Sequence, residues 1–101
     1  VRGHSRDEKT VEAVAAELGD RKADVLFVDA EHTEQAALGD YKAYRHFLQP
    51  LGMTAFHDIC YHKLWPMWNH LRGSVRVNRS VEIIKDIRQE SCGIGIVLGA
   101  E

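Results

Sequence analysis

The chain has 101 residues, with 13 basic and 15 acidic side chains and a formal charge of −2. That length allows one domain, which buries roughly 60–70% of the surface of its unfolded form. A composition 45% hydrophobic and 28% charged excludes a disordered chain, near-neutral charge argues against nucleic acid as a partner, and no apolar run approaches the about 20 residues that cross a bilayer.

In chain order, Val11, Val14, Ala15 and Leu18 fall at helical spacing and predict a helix over 7–18. Asp7 and Glu8 suit its positive end and Gly19 its stop. The apolar run 25–28, ending at Asp29, reads as a buried parallel strand. Thr33 can cap a second helix carrying Ala36, Ala37, Tyr41, Tyr44 and Leu48, which Pro50 and Gly52 would end. Residues 53–56 form another short strand closing on His57 and Asp58. A third helix is expected over 62–71 with Pro66 in its first turn, and 81–84 and 94–98 are the last strand candidates.

This alternation implies an α/β fold with right-handed crossovers and a parallel sheet. The last two strands have no helix between them and should pair antiparallel. Sites in such sheets lie beyond the carboxyl ends of the strands, where Asp29 and Asp58 stand. Cys60 and Cys92 lack CxxC spacing and read as reduced thiols of a cytoplasmic protein. The chain opens on Val1 in what looks like the end of an element, so a partial domain over residues 1–101 is expected.

The stretches FVDAEH (27–32) and LQPLGMTAFHDI (48–59) resemble class I S-adenosylmethionine-dependent methyltransferases, most closely the cephalosporin hydroxylase and macrolide O-methyltransferase-like family. GHSRD (3–7) matches that family's GxSxD loop, and PMWNHL (66–71) and GIGIV (93–97) its later helix and last strand. The resemblance implies the C-terminal half of a Rossmann-like sheet: strands 4 to 7, mostly parallel, with an antiparallel last strand. The glycine-rich loop that holds most of the cofactor would then lie outside these residues. Gly93, Gly95 and Gly99 do not replace it, because they lack the spacing and open no helix.

The resemblance assigns S-adenosylmethionine to Gly3, His4, Ser5, Arg6 and Asp29, and a divalent cation, magnesium in the family, to Asp29, His57 and Asp58. His57 departs from the family's acidic pair, and imidazole suits zinc, nickel or iron(II) better. In the D-x-x-H position His32 would act as general base, since an imidazole takes a hydroxyl proton near neutral pH. The competing structural roles are helix caps for Asp29, Asp58 and Ser5, backbone hydrogen bonding for His32, and core packing for Tyr41, Tyr44, Phe47, Trp65 and Trp68. His46 and His70 read as exposed helix residues.

The expectation is thus part of a cation-assisted O-methyltransferase for a small-molecule acceptor, inactive by itself and forming a homodimer through the edge of strand 25–28. Two rivals stand beside it: a metal-dependent hydrolase using Asp29, His32, His57 and Asp58 on zinc or iron, and a non-catalytic oligomerisation module.

Overall fold

Helix boundaries follow from local chemistry in the computed structural model, which describes residues 1–29, 31–74, 79–86, 88 and 93–99. Helix α1 (Glu8–Leu18) starts after Asp7 and stops at Gly19, whose N–H returns to the carbonyl of Ala15. Strand β1 (Ala23–Val28) follows. Thr33 caps α2 (Glu34–Tyr44), its hydroxyl accepting the Ala36 N–H at 3.1 Å. A 3₁₀ turn (Arg45–Phe47) leads into β2 (Leu48–His57), then α3 (Trp65–Arg72), β3 (Arg79–Ile83) and β4 (Ile94–Leu98).

The sheet order is β1-β2-β4-β3. β1 and β2 are parallel, with Val28 opposite Phe56, and β4 runs antiparallel to both β2 and β3. Three strands therefore share one direction and the last opposes them, as expected.

Several boundaries differ from the sequence reading: β1 and β2 start earlier, and β3, expected over 81–84, spans Arg79–Ile83. The second helix ends at Tyr44, and Leu48 opens β2, so Pro50 and Gly52 lie inside a strand. The β1–β2 register shifts between Ala23 and Val25, leaving residues 49–52 outside the regular ladder, where a proline without an N–H is tolerated. The third helix begins at Trp65 rather than residue 62. The turns before it are closed by Tyr61 N–H to Asp58 O and Leu64 N–H to Tyr61 O, and Pro66 sits in the first helical turn.

The core lies between the sheet and helices α2 and α3. Phe56, Ile59, Trp68 and Val97 are fully buried, with Val28, Tyr41, Met67 and Leu71 around them. Tyr41 meets Phe56 edge-on at 5.4 Å. Trp68 lies directly on Gly95, where a Cβ would come within 2.6 Å of the indole. Its Nε1 donates to Glu82 at 3.0 Å, and Arg72 binds the same carboxylate. Tyr41 and Trp68 are core, as read from spacing, while Tyr44, Phe47 and Trp65 are half-buried.

The strand read as buried is covered on one side only. Val25 and Phe27 are each 54% exposed, and with Met53, Val81 and Ile83 they form an apolar sheet face away from the helices. No described helix is long and apolar enough to cross a membrane.

Candidate functional site

Parallel pairing of β1 and β2 brings their carboxyl ends side by side, so Asp29 and Asp58, each one residue past its strand, share one rim. Asp58 has a φ of 57°, unusual for a residue with a side chain. It is 5% exposed, whereas Asp29 is open to solvent. His32, in the loop after β1, places Nε2 2.9 Å from Asp58 Oδ2. His57 Nδ1 stands 3.0 Å from the same Oδ2 and 3.2 Å from Asp29 Oδ1, without hydrogen-bond alignment to either.

The four predicted residues are therefore together. Ligating atoms of Asp29, His32 and Asp58 all lie within 4.8 Å of one another, and His57 Nδ1 stands against both carboxylates as well. Neither aspartate caps a helix: Thr33 caps α2, and Leu64, which precedes α3, gives it no side-chain cap.

A divalent cation fits this donor set. Asp58 Oδ1 is buried with no hydrogen-bond partner, an expensive state for a carboxylate. Two carboxylates with one imidazole favour manganese, iron(II) or zinc over magnesium. Asp29 and Asp58 would hold the ion, with His57 Nδ1 3.2 Å and 3.0 Å from their carboxylates.

The 3–7 loop lies at the same end of β1. Asp7 N–H bonds the carbonyl of His4, and Arg6 N–H donates to His4 Nδ1 at 3.3 Å. Ser5 does not cap α1. Its hydroxyl donates to Asp40 Oδ1 at 2.6 Å, and Tyr44 OH donates to the Ser5 carbonyl at 2.6 Å. A cavity of about 220 Å³ here is lined by Ser5, Leu26, Phe27, Val28, Asp40 and Tyr44. That is below the roughly 300–1,000 Å³ of sites that enclose a cofactor.

Sequence reading passed over Asp40. The signal was an acid at i+4 from Ala36 and i−4 from Tyr44, on the helix face that packs inward. His46 and His70 are exposed, as read, and Cys60 is buried. Cys92 lies outside the described residues.

Residues 2–59, which include the 3–7 loop, Asp29, His32, His57 and Asp58, match a family model described as a methyltransferase domain. No curated protein matches the chain. Among solved structures, a Staphylococcus aureus protein provisionally described as a caffeoyl-CoA O-methyltransferase superposes with a TM-score of 0.72 at 15% identity. The match covers 99% of this chain and 50% of that one, so the chain spans about half the length of the solved structure, and the likeness is one of fold.

Proposed function

Because the chain belongs to the methyltransferase-domain family, which implies S-adenosylmethionine as methyl donor, we propose that it forms the acceptor-activating part of an O-methyltransferase for a small molecule. The observation that carries this reading is the 2.9 Å contact between His32 Nε2 and Asp58 Oδ2, beside Asp29 on one rim.

A buried carboxylate against one ring nitrogen selects the imidazole tautomer that carries its proton there. In this scheme the Asp58 carboxylate favours the His32 tautomer protonated at Nε2, which would leave Nδ1 to accept the proton of an acceptor hydroxyl. Its left-handed backbone turns the carboxylate toward His32. Asp29, more exposed, faces the acceptor side. A divalent cation on Asp29 and Asp58, when bound, supplies charge that lowers the hydroxyl's pKa and fixes its oxygen. Holding acceptor and base in one geometry supplies much of the rate in such a transfer.

A metal-dependent hydrolase would use the same Asp29–His32–Asp58 trio. Family membership, not the trio, favours methyl transfer. The test is set on the complete enzyme, with labelled S-adenosylmethionine and hydroxyl acceptors such as catechols and sugars. His32→Ala is expected to slow transfer about 10²–10⁴-fold, and His46→Ala, remote and exposed, to leave it unchanged. Transfer indifferent to His32→Ala would remove the base from this scheme.

A further inference from the structure

The 3–7 loop carries no regular structure of its own, so something else must fix it beside the end of β1. That something is α2. Asp40 is 8% exposed, an unusual place for an acid in mid-helix. A buried carboxylate is tolerated only when it is hydrogen-bonded. The partner is Ser5 Oγ, 35 residues earlier, at 2.6 Å, the short distance of a bond to an ionised acceptor. One turn further along α2, Tyr44 OH donates to the Ser5 carbonyl at 2.6 Å. Ser5 is thereby gripped at its side chain and its backbone at once. Arg6, the next residue, lays its aliphatic stem against Gly39. Burial raises the pKa of the Tyr44 phenol, with the Asp40 charge adding to it, so the hydroxyl remains a donor.

The Ser5 hydroxyl proton is directed into Asp40 and is not available to a ligand. We infer that Asp40, with Tyr44, is the positioning pair of the cofactor-facing loop: it locks residues 3–7 to α2 so that the loop offers backbone groups, not the Ser5 hydroxyl, to the cofactor. The loop's facing role rests on the methyl-transfer reading above; the lock itself does not.

Hydrogen exchange by NMR on the full chain separates the two. In Asp40→Ala, the amides of Arg6 and Asp7, which are hydrogen-bonded to His4, should exchange at least about tenfold faster, the fold-change of one lost bond to a charged group, while β2 and β4 amides are unchanged. Asp40→Asn keeps an acceptor oxygen and should restore wild-type rates. Tyr44→Phe, which removes one hydroxyl only, should loosen residues 5–7 and covers the case in which the alanine variant does not fold. Equal rates in all variants, or acceleration spread evenly over the sheet, would overturn the lock. Titration with millimolar S-adenosylhomocysteine then tests the loop's role. Shifts at residues 3–7 are expected in wild type and Asp40→Asn and not in Asp40→Ala, and equal shifts in Asp40→Ala would overturn positioning. No shift in the wild type would count against the methyl-transfer reading, while the exchange rates would still decide the lock.

Discussion

Asp58 concentrates the chemistry of the rim in one side chain. It is buried, strained in backbone, within 3.0 Å of two imidazoles, and still has one oxygen unpaired. Such a group gains from a cation, but two carboxylates and an imidazole leave most coordination positions to water. Divalent binding should therefore be weak, with a Kd above about 10⁻⁴ M, manganese or zinc ahead of magnesium. Calorimetry should show it reduced in Asp29→Ala or Asp58→Ala and absent in the double variant; unchanged heats in the double variant would remove the site. A second residue-scale effect comes from Tyr41, whose pKa is raised above its usual 10.0 chiefly by burial, against the opposing influence of Arg45. The folded state thus favours the protonated phenol. Its contribution to stability is complete below about pH 10 and is lost as pH rises through the higher folded value. The urea midpoint should fall above about pH 10 and fall less in Tyr41→Phe; a midpoint indifferent to that substitution would contradict it.

Among the elements, β4 is fixed by its meeting with α3. Trp68 occupies the space a side chain at residue 95 would need. Gly95→Ala should cost about 1–3 kcal/mol in urea unfolding, the usual penalty of overpacking, and a neutral substitution would show that the indole is free to shift. Gly95 was legible as strand but not as the seat of a tryptophan, because that contact joins residues 27 apart in sequence. Local signals served well wherever one interaction decides an end: Thr33 capping α2, Gly19 closing α1. They failed at residues 45–52, where Phe47 and Leu48 continue the helical spacing while the chain turns through a 3₁₀ segment into β2. The rim of Asp29 and Asp58 was legible because strand–helix–strand connectivity forces parallel neighbours. Asp40 was not, because periodicity alone does not reveal that Ser5 waits across the helix.

At the scale of the whole molecule, the described sheet is finished on one face and open on the other. The cavity beside the 3–7 loop, about 220 Å³, is too small to enclose S-adenosylmethionine, so equilibrium dialysis should detect no affinity in the micromolar range for these 101 residues; tight binding would show a cradle assembled some other way. The open edge has a physical consequence of its own. Among the described residues β1 pairs with β2 alone, leaving the N–H and C=O groups of its outer side without a strand partner there. An apolar groove of about 250 Å³ runs beside that edge, lined by Val14, Leu18, Val25, Leu26, Tyr44 and Phe47 among others. The exposed Val25 and Phe27 continue the apolar surface onto the bare face. Between Val25 and Val28 no charge or proline deters another strand. A second copy, turned about a two-fold axis perpendicular to the sheet, satisfies both edges at once and joins the two sheets into one. Light scattering of the 101-residue chain should accordingly give a dimer mass, and a monomer at high micromolar concentration would defeat the idea. Leu26 is a poor place for the deciding substitution, since it packs against the core. Phe27 points to the bare face, so Phe27→Lys should yield a monomer with an unchanged circular dichroism spectrum, whereas a persistent dimer would place the contact on another surface.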